Sequence, residues 1–127
     1  MAEAAAPRAR RGGRNHRAGL AGEDAAARFY ESRGAEVLAR RWRAPEGEID
    51  LIVRDGGVIA FVEVKSGRGA LRRDAIGPRQ WARLEAAAVR YMLHAETGDA
   101  PVRFDAAFVG PDGAVDVVEN ARMSEAW

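Results

Sequence analysis

Two apolar runs separated by Asp55-Gly56-Gly57 constrain this chain's fold more than any other feature. Ile49-Asp50-Leu51-Ile52-Val53 and Val58-Ile59-Ala60-Phe61-Val62-Glu63-Val64 are dense in residues that suit a pleated, buried surface. The Gly-Gly pair supplies the positive φ that a tight hairpin turn requires. The runs therefore predict antiparallel neighbours, one strand from Glu48 to Arg54 and its answer from Val58 to Lys65. With Gly56-Gly57 as turn residues, Asp55 pairs with Val58, Asp50 falls opposite Glu63 and Glu48 opposite Lys65. A turn centred on Asp55-Gly56 would shift the acidic pair to a diagonal, and a three-residue loop would need a bulge to restore the facing. Alternation places Glu48, Asp50 and Ile52 on one face and Ile49, Leu51 and Val53 on the other. On the second strand Phe61, Glu63 and Lys65 share a face.

Other elements follow from period and punctuation. A helix is expected from about Leu20 to Arg33, with Ala21, Ala25 and Phe29 as its stripe and Gly34 as its stop. A short strand, Glu36 to Trp42, precedes the turn Pro45-Glu46-Gly47. Beyond a glycine-broken loop over 66–77, Pro78 opens the most regular helix, with Trp81, Leu84, Ala88, Tyr91, Met92 and Ala95 on one face. Val102 to Val109 and Ala114 to Val118 read as strands joined by Gly110-Pro111-Asp112-Gly113. The result is an α/β domain in the order α-β-β-β-α-β-β, with a central mixed five-stranded sheet flanked by helices. Residues 19–119 form that domain, 1–18 read as a disordered basic tail, and 120–127 as a C-terminal tail.

At 127 residues the chain suits one domain. No apolar stretch approaches the roughly 20 residues needed to span a bilayer, so no membrane role is expected. The absence of cysteine excludes disulfides, thiolate catalysis and Cys-ligated zinc. A cytoplasmic location is the default expectation. The formal net charge of +1 conceals segregation. In residues 1–18 five arginines face Glu3, a net of +4; in 66–90 six (Arg68, Arg72, Arg73, Arg79, Arg83, Arg90) face Asp74 and Glu85, again +4. In 96–127 seven acids face Arg103 and Arg122, a net of −5. Such asymmetry suits a polyanionic partner gripped on one side, and equally a solvated tail with a charged helix face.

Of the 20 Lys and Arg residues, only Lys65 is lysine. A surface cation tolerates exchange for arginine, whereas a site needing a compact ammonium does not. Lys65 lies two residues after Glu63, on the face that carries Asp50 and Glu48. Directly opposed strand positions bring Cβ atoms to roughly 4.5–5.5 Å, near enough for two carboxylates to share a cation. Carboxylates this close must raise a pKa or bind a metal, and oxygen-only ligands favour Mg²⁺ or Mn²⁺. Such a cation would activate water and neutralise phosphate charge, suiting phosphodiester hydrolysis. Lys65 would orient or help deprotonate the water, or offset developing charge. A cross-strand Glu48–Lys65 ion pair on a solvated face would account for the same charges.

Gly47-Glu48-Ile49-Asp50-Leu51-Ile52 followed by Phe61-Val62-Glu63-Val64-Lys65 resembles the YraN family of small bacterial proteins. The resemblance extends to Gly22-Glu23-Asp24-Ala25-Ala26, the Arg-rich second helix and Arg103-Phe104-Asp105, spanning roughly residues 19–118. It implies a restriction-endonuclease-like fold with a PD-(D/E)xK site, akin to archaeal Holliday junction resolvases. Metal binding by Asp50 and Glu63, catalytic support from Lys65, and Glu23 reaching in from the first helix are implied with it. Relatives often carry a lysine where the second helix begins; here the chain reads Arg79-Gln80.

The expected activity is thus metal-dependent cleavage of DNA, including branched or repair intermediates. Asp50, Glu63 and Lys65 form its core, and Glu48 and Glu23 are secondary carboxylates. Arg68, Arg72, Arg73, Arg79, Arg83 and Arg90 would grip the backbone, and a homodimer would suit a two-strand cutter. A non-catalytic nucleic-acid-binding module is the alternative. An adaptor using the acidic C-terminal third as its contact surface is a third reading. Asp105 is expected to hydrogen-bond structurally or to face solvent.

Overall fold

The structure, a computed structural model, describes residues 13–67 and 76–123. Helix α1 spans Gly13–Ser32, and strands β1, β2 and β3 span Glu36–Ala44, Gly47–Asp55 and Val58–Ser66. Helix α2 spans Pro78–His94, strands β4 and β5 span Val102–Val109 and Val115–Val118, and a 3-10 turn covers Ala121–Met123. The five strands form one sheet in the order β1-β2-β3-β4-β5. Only β3 and β4 run parallel, which requires a crossover, and α2 lies within it. The expected element order and mixed sheet hold.

The sheet is buried on both faces. On one, Ala26, Ala27 and Tyr30 of α1 pack against Leu51, Val53, Ala60, Val62 and Ala107. On the other, Trp81, Leu84, Ala87 and Ala88 of α2 meet Ile49, Ile52, Ile59, Phe61, Ala106 and Phe108. Phe61 stacks on Phe104 at 5.6 Å, and Tyr91 meets Phe61 and Trp42 edge-on. Double-sided burial explains why both hairpin strands are almost continuously apolar.

Several expectations need correction. Helix α1 begins at Gly13, so residues 13–18 extend the helix and do not belong to a tail; residues 1–12 lie outside the described residues. Ala21 is exposed, and the buried stripe is Gly22, Ala26 and Tyr30 with Ala25 and Ala27. The rotation has a polar cause: the Tyr30 hydroxyl donates to Asp105 Oδ2 at 2.7 Å, turning that side of the helix toward the sheet. Ala121 is fully buried, which anchors the segment after β5 and moves any C-terminal tail beyond it. Finally, Ile49 joins Ile52 in the α2-side core, apart from Leu51 and Val53. Alternation on β2 thus breaks beside Asp50. There β1–β2 pairing passes from Arg40↔Leu51 to Trp42↔Ile49, and Arg41 adopts φ of 52°.

Candidate active site

The β2–β3 ladder starts in the expected register, Asp55↔Val58, and runs to Leu51↔Val62. It ends there, one pair short of Asp50 and Glu63. Beyond that point β2 continues along β1 to Ala44↔Gly47, while β3 continues along β4 to Ser66↔Val109. The hairpin therefore opens into a wedge with Asp50 on one rim and Glu63 and Lys65 on the other. Asp50 spans it: its Oδ2 accepts the Val64 N–H at 2.9 Å, where a regular ladder would supply a backbone carbonyl. The acidic pair expected from counting is brought together at the end of the ladder, with room between the strands.

Two further elements close on the wedge. Gly22 permits the approach of α1, because a Cβ there would lie 2.2 Å from Ser66 Oγ and 2.9 Å from Ser66 Cβ. This close approach seats Glu23 beside the ends of β2 and β3. From α2, Gln80 Nε2 donates to Glu63 Oε2, and Lys65 Nζ stands 3.6 Å from the same oxygen. Gly47, Glu48, Asp50, Glu63, Gln80, Arg83 and Leu84 line an open cleft of about 350 Å³.

Electrostatics set this cluster apart. Glu63 is only 7% exposed. Burial, then the charge of Asp50, raises its pKa to about 8 against the opposing pull of Lys65. Asp50 rises to about 6, again chiefly by burial; the Val64 N–H opposes the rise and Glu48 adds to it. Glu23 is pushed up to about 7 by burial and by Asp50, with Arg41 opposing. Three acids therefore share one environment that disfavours their charge, an arrangement that concentrates at functional sites. Among the described residues no three His, Asp or Glu side chains form a ready-made cation cage. Glu63 is instead engaged by Gln80 and Lys65. Mg²⁺ needs only one or two protein carboxylates because it keeps several of its waters. Asp50 and Glu63 fit that demand.

The basic residues divide. Arg83 lines the cleft and Arg79 is exposed on the first turn of α2. Arg90 is committed elsewhere: Nε and Nη2 donate to the two carboxylate oxygens of Glu46 at 2.8 and 2.6 Å, which removes it from the expected phosphate-binding set. Arg68, Arg72 and Arg73 lie outside the described residues. Two arginines of β1 stand at the site unforeseen. Arg41 approaches Glu48 at 3.7 Å and Glu23 at 3.9 Å, and Arg43 approaches Glu48 at 3.9 Å. The sequence marks Gln80 only as standing with Arg79 where relatives often carry a lysine, and its contact with Glu63 was not foreseen.

The family model described as uncharacterised protein family UPF0102 matches residues 22–109, a span containing both hairpin motifs, Glu23 and Gln80. The chain belongs to the UPF0102 family. A UPF0102 protein of Ruegeria pomeroyi is 47% identical over 115 residues, covering 89% of this chain and 94% of that protein. One from Cereibacter sphaeroides is 41% identical over 109 residues, 84% of this chain and 93% of its own length. A UPF0102 protein of Neisseria gonorrhoeae is 38% identical over 109 residues, 84% of this chain and 95% of its own. The matches to these relatives cover nearly the whole domain. No helix among the described residues is long and apolar enough to cross a membrane.

Proposed function

We propose that this chain is a divalent-metal-dependent nuclease that hydrolyses phosphodiester bonds in DNA, with Asp50 and Glu63 as metal ligands and Lys65 as the group assisting the nucleophile. One observation carries the reading: the buried carboxylate of Glu63 and the half-buried one of Asp50, on adjacent strands and both with raised pKa, meet the only lysine of the chain where the hairpin opens. A bound Mg²⁺ or Mn²⁺ would lower the pKa of water and offset charge on the phosphate oxygens. Lys65 Nζ would orient the attacking water and balance the charge that grows as the P–O bond breaks. Gln80 fixes the Glu63 carboxylate through its side-chain amide, and Glu23 and Glu48 complete the acidic wall. Arg83 and Arg79 would contact backbone phosphates at the cleft mouth. Cutting both strands would call for two copies, which sedimentation of the complex would count.

The test is a cleavage screen over branched, single-stranded and duplex DNA with Mg²⁺, Mn²⁺ or EDTA. Metal-dependent products that vanish in Asp50→Asn support the reading. One feature favours the alternative, a nucleic-acid binder without turnover: Glu63 is already held by Gln80 and Lys65. Tight binding without cleavage across the whole screen would select it. The adaptor reading has a weaker basis, because Asp105 is buried and Glu119 is paired with Arg33 and Arg103.

A further inference from the structure

Arg41 adopts φ of 52°, a left-handed backbone conformation that a non-glycine residue keeps only where its surroundings enforce it. The strain falls where β1 passes Asp50, and it coincides with an arginine reaching both Glu23 on α1 and Glu48 on β2. Two residues on, Arg43 faces Glu48, its register partner. Trp42 between them packs into the α2-side core, while both guanidinium groups meet at Glu48. Their carboxylate distances, 3.7 to 3.9 Å, lie beyond hydrogen-bond reach. By contrast Arg33, Arg90 and Arg103 meet their acids at 2.6–2.9 Å. Among the described residues the Arg43 Nη2 atom is buried without a hydrogen-bond partner. Strand β1 is also an edge strand, so its outer side is open to an approaching chain.

A polyanion entering a cleft lined by Glu48, Asp50 and Glu63, with Glu23 beside them, is repelled unless fixed cations stand on its path. Lys65 and Arg83 serve the β3 and α2 sides. We propose that Arg41 and Arg43 form a phosphate subsite for the strand being cut, exchanging their loose contacts with Glu23 and Glu48 for hydrogen bonds to the diester. The subsite rests on the nuclease reading and adds to it a second wall, on β1, that holds the substrate backbone beside the reacting phosphate. Arginine suits this role because its planar fork matches phosphate oxygens in pairs.

The test measures binding of a fluorescent single-stranded oligonucleotide to the full chain, in EDTA, as a function of salt. Arg41→Asn keeps a residue that tolerates positive φ, so the fold survives it, and Arg43→Gln keeps a polar side chain. Arg28→Gln, on the exposed face of α1, controls for general charge loss. Removing one arginine–phosphate pairing flattens the log–log salt slope by roughly 0.7–0.9, so the double variant should lose about 1.4–1.8 and Arg28→Gln far less. Arg43→Lys should recover slope without full affinity. A wild type that binds and cuts DNA, beside a double variant whose slope matches that of Arg28→Gln, overturns the subsite and leaves the nuclease reading standing. Should the double variant not fold, the Arg41→Asn slope decides by the same criterion. Wild type that binds no single-stranded oligonucleotide at any salt overturns the subsite, and wild type that also cuts nothing in the cleavage screen overturns the nuclease reading with it.

Discussion

Two groups of acids sit in this sheet, and the protein treats them in opposite ways. Asp105 on β4 is fully buried yet saturated: it accepts from the Tyr30 hydroxyl, from Arg103 Nε and Nη2, and from the Asn120 N–H, all within 2.7–2.9 Å. Arg103 continues to Asp55, which also pairs with Arg33, tying α1, the hairpin turn and β4 into one network. Glu63 is nearly as deep and Asp50 is half-buried, and the two have one backbone N–H, one amide and one ammonium between them. The first arrangement is a finished structural joint. In the second, burial first and neighbouring acidic charge second raise the pKa of both carboxylates, and the few donors present do not offset it. Buried acids alone therefore mark nothing; it is the balance of donors around them that separates scaffold from site.

That contrast can be broken by mutation, and the largest effect should come from the scaffold. Asp105→Ala would leave the Tyr30 hydroxyl and the Asn120 N–H without their acceptor and Arg103 with only Asp55 and Glu119, and should cost about 3–5 kcal/mol, read as the shift in urea midpoint. Tyr30→Phe, which removes one donor of the four, should cost about 1 kcal/mol in the same assay. Comparable in size but different in kind is Lys65→Arg: cleavage should fall roughly 10²–10⁴-fold while Mn²⁺ affinity persists, since arginine is bulkier and effectively never deprotonated. Wild-type turnover in Lys65→Arg would reduce the surviving lysine to an accident of coding.

Gly22→Ala comes next. The added Cβ collides with Ser66, so overpacking of about 1–3 kcal/mol is expected, with Glu23 displaced from the cluster and activity reduced. Pairing it with Ser66→Gly should restore much of the melting temperature. The smallest effect is the most diagnostic. Glu63, Asp50 and Glu23 have folded-state pKa values above their unfolded ones, so the stability they confer is complete below about pH 4. It is lost as pH rises through the folded values, from about 6 for Asp50 to about 8 for Glu63. Without divalent cations the melting temperature should therefore sag between about pH 5 and about pH 8. Glu63→Gln should flatten that sag and equal or exceed wild type at the upper end of that range, the opposite of what Asp105→Asn does.

Much of this was legible beforehand because strands advertise themselves locally. Asp55-Gly56-Gly57 set the hairpin, its register and hence the meeting of Asp50 with Glu63. Val102–Val109 alternates plainly, and Pro78 opens α2 as its fixed φ requires. What stayed hidden depends on contacts distant in sequence. The α1 face was misjudged because alanines on all sides leave the periodicity nearly flat, and Tyr30 is turned inward by an acid 75 positions away. Gln80 acquires meaning only when α2 lies across β3. Arg41 gave no warning at all, since positive φ is ordinarily signalled by Gly, Asn or Asp. Arg90 looked like a phosphate contact until the turn after β1 supplied Glu46 as its partner.

On the proposed function, the acids at the open end of the hairpin would bind a divalent cation. Calorimetric titration of Mn²⁺ into the full chain at about pH 7, repeated in buffers of different ionisation enthalpy, tests it directly. Burial and the charge of Asp50 raise the pKa of Glu63, so binding of the cation should displace a proton from it and the observed heat should change with the buffer. The expected result is saturable binding with proton release, both lost in Asp50→Asn and undiminished in Asp105→Asn wherever that variant is folded. An absence of heat at millimolar Mn²⁺, or binding that Asp50→Asn leaves intact, would contradict the account.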